Sequence, residues 1–179
     1  RIGGTVVVVG CGPIGLLLVQ LARLAGAERV LAIEPLAYRR EAAAELGANA
    51  LCPSDDLAAR IEALAGADGV DVAIEAAGTL GAQEVAAQVA RRGGTLVLVG
   101  IPAEDKLVMT HHVVRRKGLT IKLCRRMKLT YPRAIALTQR RMVDLKSLVT
   151  HRFALGDADQ AFRLVEEYAD RVIKAVIEP

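Results

Sequence analysis

The 179-residue chain carries 24 Lys plus Arg against 20 Asp plus Glu, a formal net charge of +4, and 53% of it is hydrophobic. That composition fills one ordinary core and excludes a disordered or strongly polyanionic chain. Three scattered cysteines (Cys11, Cys52, Cys124) exclude a disulfide framework and point to reduced thiols and a cytoplasmic setting, while His111, His112 and His151 show no metal-ligand spacing, so no metal is expected on this chain.

In chain order, Thr5 to Val9 is a short β-branched run suited to a strand buried on both faces. It leads into Gly10-Cys11-Gly12-Pro13-Ile14-Gly15, a G-x-G-x-x-G set between a strand and a helix. Each glycine has its own task. Gly10 makes the tight turn, Gly12 lets backbone approach a pyrophosphate, and Gly15 lets the helix pack close against the sheet. The free N–H groups and positive end of the helix then face the phosphates. Pro13 suits an early helical position, where a missing N–H costs little. Ile14, Leu17, Leu18, Leu21 and Ala25 recur at helical spacing and are expected to face the sheet.

A second strand, Arg29 to Ile33, ends at Glu34, nineteen positions beyond Gly15. An acid at that distance is expected to hydrogen-bond the adenosine ribose hydroxyls and to repel a 2′-phosphate. The uncharged stretch from Ile2 to Ala22 is long enough to be weighed as a membrane span. Glycines and a proline at its centre divide it into strand and helix, so neither a span nor a signal peptide is expected.

Further on, Tyr38 to Leu46 reads as a helix stopped by Gly47, Ala50 to Cys52 as a short strand, and Asp55 to Ala65 as a helix opened by acids. A strand from Val70 to Ile74 ends in Glu75-Ala-Ala-Gly78. A helix runs from Leu80 to Arg91, and Gly93-Gly94 turns into a strand from Thr95 to Val99, followed by Gly100-Ile101-Pro102. The last third holds a sixth strand (Leu119 to Leu123), helices from Pro132 to Met142 and Asp157 to Tyr168, and a final strand from Val172 to Ile177. This alternation predicts an α/β fold of Rossmann type: a doubly wound, six-stranded parallel sheet in the order 3-2-1-4-5-6 with helices on both faces. Gly10 to Gly15, Glu34, Ala77-Gly78 and Val99-Gly100-Ile101 then share the carboxyl edge of the sheet, where ligand lies.

Charge is uneven. Ile101 to Arg152 holds 13 basic and 3 acidic residues, and Tyr131 is its single aromatic. Stacking platforms are therefore missing and nucleic-acid binding is not expected. A solvated face, a subunit contact or attraction for an anionic cofactor accounts for the block. The opening at Arg1, one step before a strand and without Met, is what a piece of a longer chain would show.

Together these residues resemble the medium-chain dehydrogenase/reductase family, specifically its zinc-dependent alcohol and polyol dehydrogenases. The resemblance spans the chain and rests on the run from Gly4 to Gly15, on Asp71-Val-Ala-Ile-Glu-Ala-Ala-Gly78, on Gly93-Gly-Thr-Leu-Val-Leu-Val-Gly100, on Leu148-Val-Thr-His-Arg-Phe153 and on Ile173-Lys-Ala-Val-Ile-Glu-Pro179. It implies pyrophosphate contacts around Gly12, Pro13, Ile14 and Gly15, and NAD as cofactor. Glu34 stands where NAD-preferring members carry Asp, and Arg39 matches a basic position against the adenosine end. Val99, Gly100 and Ile101 would pass beside the nicotinamide. Arg125, Arg126 and Met127 would close over its ribose and carboxamide, with Arg126 matching the family arginine; Arg125 and Met127 depart from the aromatic residues common there.

The resemblance further implies a cofactor domain over residues 1–150. Residues 151–179 would return to an N-terminal catalytic domain that supplies the zinc, leaving no catalytic residue on this chain. The implied activity is hydride transfer between a polyol or secondary alcohol and NAD, and the chain alone is expected to be inactive. A homo-oligomer paired through the edge strand near Leu119 to Leu123 is also expected. The alternatives are a zinc-free medium-chain reductase, a non-catalytic dinucleotide-sensing domain and a methyltransferase-like domain.

Overall fold

The computed structural model describes residues 2–54, 56–127 and 129–179, and the chain divides into two compact units, Arg1–Leu129 and Thr130–Pro179. The boundary expected after residue 150 concerns the parent's domains and remains a proposal; compactness divides the chain after Leu129. Asp55, expected to open a helix, lies outside the described residues.

The first unit alternates strand and helix: β1 (Thr5–Val9), α1 (Pro13–Leu24), β2 (Arg29–Ile33), α2 (Ala37–Glu45), β3 (Asn49–Leu51), α3 (Leu57–Ala65), β4 (Val70–Glu75), α4 (Leu80–Val89), β5 (Ala90–Leu98), α5 (His111–Lys117) and β6 (Thr120–Leu123). All six strands are parallel in the order β3-β2-β1-β4-β5-β6. This is the doubly wound Rossmann sheet that the alternation predicts. A single register row crosses it: Leu51, Ile33, Val9, Glu75, Leu98 and Leu123 are neighbours in turn. Because the strands are parallel, the chain leaves the sheet beyond this row on the same edge every time.

The two faces of the sheet follow from strand alternation. Val7, Val9, Leu31, Ile33, Ala73, Leu96 and Leu98 join one core with Ile61 of α3 and Ala82, Ala86 and Ala87 of α4, and Val114 of α5 packs against it. Val8 faces α1 instead, and its side chain lies 3.5 Å from where a Cβ on Gly15 would stand. Val7, Val8, Leu16, Leu31 and Leu96 are fully buried. Each contributes about 2 kcal/mol of apolar burial relative to exposure.

The buried side of α1 is not the one expected. Gly15, Leu16, Val19 and Ala22 are buried, whereas Ile14 is 53% and Leu21 39% exposed. The helix is apolar on nearly every side, so spacing alone does not choose a face. The glycine chooses it: a Cβ on Gly15 would stand 1.9 Å from the Gly10 carbonyl oxygen, so Gly15 must face the turn. Val19 and Ala22 lie four and seven positions on, along the same stripe.

Two further differences concern β5 and α5. The strand begins at Ala90, five residues before Thr95, and Gly93-Gly94 forms an irregularity inside it: Val70 pairs with Ala90 while Val72 pairs with Thr95. Gly93 has φ +66°, a conformation that favours glycine. Helix α5 was not expected. It ends at Gly118 in the left-handed conformation, after Arg115, Arg116 and Lys117 in its last turn.

The second unit holds α6 (Tyr131–Gln139), β7 (Val149–Ala154), α7 (Ala158–Glu166) and β8 (Lys174–Glu178). Strand β7 also escaped the sequence reading. It pairs in parallel with β8, which begins two residues later than expected, and Ala161 of α7 and Val172 are buried.

Candidate functional site

The site is built on the carboxyl edge of the six-stranded sheet. Beyond β1, the Gly10 amide donates to the Ile33 carbonyl at 2.8 Å, and Gly10 has φ +95° with Ala77 so close that a Cβ would stand 2.7 Å from its nitrogen. Gly12 differs from its neighbours. As N-cap of α1 it has φ −66° and ψ −175°, open to any residue, and a Cβ there would meet just the Arg39 guanidinium at 3.8 Å. Space is therefore kept in front of the α1 N-terminus, whose first-turn N–H groups have no intrahelical partners. Pro13 occupies the first helical position and Ile14 projects outward. Geometry and dipole both suit an anion such as a pyrophosphate.

Glu34 follows β2 and is nearly fully buried. Its Oε2 accepts from the Cys11 amide at 2.7 Å and its Oε1 from the Leu36 amide at 3.0 Å. The carboxylate thus fastens the glycine turn to the end of β2. Each oxygen keeps a second lone pair for a ligand hydroxyl. Arg40 secures the same segment by donating to the Glu34 and Pro35 carbonyls at 2.8 and 2.6 Å. Arg39, one residue earlier on α2, turns the other way and lies beside Gly12, with its guanidinium 5.7 Å from the Tyr38 ring centre. The two adjacent arginines therefore do separate work: Arg40 holds backbone and Arg39 stands at the turn. Cys11 is fully buried, and its thiol is pushed up to about 12, chiefly by burial and then by the Glu34 carboxylate.

The strand ends of β4, β5 and β6 continue the edge. Val99 and Gly100 follow Leu98, and both amides donate to the Glu75 carbonyl, at 2.9 and 3.1 Å. Ile101 is 73% exposed. Arg125, Arg126 and Met127 follow β6, where the Cys124 amide donates to the Leu98 carbonyl at 2.8 Å; all three side chains are exposed and Met127 has φ +46°. The turns after β1, β2, β4, β5 and β6 thus leave the sheet on one edge, and the Arg39 guanidinium reaches the first of them from α2. The sequence reading did not single out Glu75, although a carboxylate closing the apolar run Val72-Ala73-Ile74 was a visible signal.

Among the described residues no group of three or more His, Cys, Asp or Glu side chains stands together to hold a metal ion. The described residues do not fit a zinc centre. No described helix is long and apolar enough to cross a membrane.

Residues 13–140 match the zinc-binding dehydrogenase family. The chain belongs to that family. An alcohol dehydrogenase of Cupriavidus necator is 35% identical over 184 residues, covering 100% of this chain and 50% of that protein. A sorbitol dehydrogenase of Bacillus subtilis is 30% identical over 179 residues, covering 99% and 51%. In structure, 2R,3R-butanediol dehydrogenase of B. subtilis superposes with a TM-score of 0.89 at 30% identity, covering 100% of this chain and 52% of that one. The chain spans about half the length of the curated relatives it matches. Two other solved neighbours in the same fold carry NADH (Escherichia coli, 25% identical, TM-score 0.87) and NADP (Sinorhizobium meliloti, 30% identical, TM-score 0.85).

Proposed function

We propose that this chain is the cofactor-holding half of an oxidoreductase that moves a hydride between a polyol or secondary alcohol and a nicotinamide dinucleotide, with NAD preferred over NADP. The observation that carries the reading is the open space at Gly12 in front of the α1 N-terminus, with the Arg39 guanidinium beside it and Glu34 bonded to the adjoining Cys11 amide. Pyrophosphate would lie on Gly12, Pro13, Ile14 and Gly15, the adenosine ribose by Glu34, and the nicotinamide along Val99, Gly100 and Ile101. Arg125, Arg126 and Met127 would close over it. In the overall reaction the carbinol carbon gives a hydride to the nicotinamide, the alcohol oxygen loses its proton to solvent or a base, and a ketone or aldehyde results. The hydride chemistry belongs to the cofactor. The zinc of the family would be supplied by residues other than those described.

NAD preference is supported by the Glu34 charge, which opposes a 2′-phosphate. Arg39 supports the opposite reading, since a guanidinium beside the turn could pair such a phosphate. Homo-oligomerisation through β6, one of the two edge strands of the sheet, belongs to the same proposal, as does a reducing, cytoplasmic setting for three free cysteines. Calorimetric titration with NADH, NADPH and S-adenosylmethionine tests the reading. It predicts binding of NADH, weaker binding of NADPH and none of S-adenosylmethionine; binding of the sulfonium ligand alone would assign a methyltransferase-like site.

A further inference from the structure

Glu75 is the one charged residue in the register row Leu51, Ile33, Val9, Glu75, Leu98, Leu123, and it is fully buried. Its Oε1 accepts from the Ala77 and Gly78 amides, at 2.8 and 2.6 Å. Its backbone carbonyl accepts from Val99 and Gly100. One residue therefore ties the turn after β4 to the turn after β5. Those turns touch so closely that both need glycine. A Cβ on Gly100 would stand 2.3 Å from the Gly78 nitrogen, and one on Gly78 would stand 2.9 Å from the Ile101 carbonyl oxygen.

The second carboxylate oxygen has no partner among the described residues. Oε2 is buried without a hydrogen bond, and a Cβ on Gly100 would stand 2.6 Å from it. Burying a bare carboxylate oxygen is costly. Holding Ala77 and Gly78 requires just Oε1, which a glutamine would supply equally. The bare oxygen against Gly100 is thus a feature that turn-holding alone does not explain. It stands against the segment that carries Ile101 outward to the edge.

We infer that Glu75 is a positioning residue for the nicotinamide end of the site: its Oε1 and its backbone carbonyl set the Ala77-Gly78 and Val99-Gly100-Ile101 turns as one floor, with Oε2 packed against Gly100. The inference rests on the proposed cofactor reading. It locates the effect of Glu75 on the nicotinamide half of the ligand and not on the adenosine half, which the Gly12 turn and Glu34 handle.

The test compares NADH with ADP-ribose, which lacks the nicotinamide, on the intact protein and its Glu75→Gln variant. NADH binding is read from the emission of its reduced ring, and ADP-ribose binding by calorimetry. E75Q keeps an oxygen for Ala77 and Gly78 but sets an NH2 against Gly100. The expected result is about a tenfold loss of NADH affinity with ADP-ribose affinity held within about twofold. Equal loss for both ligands, or loss for neither, overturns the inference. Should the variant not fold, hydrogen exchange on the unsubstituted protein decides: NADH should protect the amides of 77–78 and 99–101 more than ADP-ribose does, and equal protection overturns the inference. If the unsubstituted protein binds neither ligand, the cofactor reading itself fails; if it binds both without the split, this inference alone fails.

Discussion

The Glu34 carboxylate takes the Cys11 amide at 2.7 Å, so the residue that the dinucleotide fingerprint assigns to the ribose is also the clamp on the glycine turn. In the proposed function, ribose recognition and turn geometry would be coupled through one side chain. Glu34→Ala should leave the buried Cys11 amide and the Leu36 amide without their acceptor and lower stability by about 2–3 kcal/mol in urea titrations. Glu34→Gln keeps one carbonyl oxygen and removes the charge, so its NADPH affinity should rise relative to NADH. A variant whose NADPH-to-NADH ratio stays put would remove Glu34 from cofactor choice.

Gly12 and Gly15 should fail differently. Gly12 has a backbone any residue adopts and open space ahead of it, so Gly12→Ala should fold within about 0.5 kcal/mol of the parent while NADH affinity falls about tenfold or more. Gly15→Ala drives a Cβ to 1.9 Å from the Gly10 oxygen and should cost about 3 kcal/mol. Thermal melts beside NADH titrations separate the two; equal melting losses would contradict the assignment.

Much of this edge was legible in the residues, because parallel strands put every turn after a strand on one side. Glu34, Gly78 and Gly100 are far apart in sequence, yet strand ends alone predicted a shared edge; Arg126 came from the family resemblance. What was not legible depended on packing. The face of α1 is chosen by contact between Gly15 and Gly10, which apolar spacing cannot register in a helix hydrophobic all round. Strand β7 shows alternating burial over Val149 to Ala154, but at six residues, interrupted by Thr150 and Arg152, its period was easily passed over. Helix α5 has two histidines and two valines in seven residues, poor helix formers whose order comes from the Gly118 cap and packing of Val114.

Cys11 and Cys124 should separate in thiol chemistry. Burial and the Glu34 charge raise Cys11 to about 12, so almost no thiolate exists at neutral pH, whereas Cys124 is exposed. Mass spectrometry after iodoacetamide at pH 7.5 should find Cys124 modified and Cys11 untouched. Prompt labelling of Cys11 in the folded protein would mean that the glycine turn opens readily.

Asp71 should contribute an acid-sensitive increment. Its Oδ2 accepts the Thr5 amide at 2.8 Å and its Oδ1 meets Arg91 Nε at 2.7 Å, and these bonds, the Thr5 amide first, hold its carboxyl below the ordinary 3.8. A lowered folded value means that the contribution is present above the ordinary value and is lost as pH falls through the folded one. The pair is over a third exposed, so screening limits it to about 1 kcal/mol. Asp71→Asn should be less stable by that amount at neutral pH, with the gap closing below about pH 4. A gap independent of pH would refute the assignment.

In the proposed function the Gly10 to Gly15 turn holds the pyrophosphate of a nicotinamide dinucleotide. The most direct measurement is NADH titration of the protein and its Gly12→Ala variant, followed through the emission of the bound reduced nicotinamide. Saturable binding by the parent and its weakening in a variant of unchanged melting temperature is the predicted result. Absence of binding by the parent, or undiminished binding by the folded variant, would contradict it.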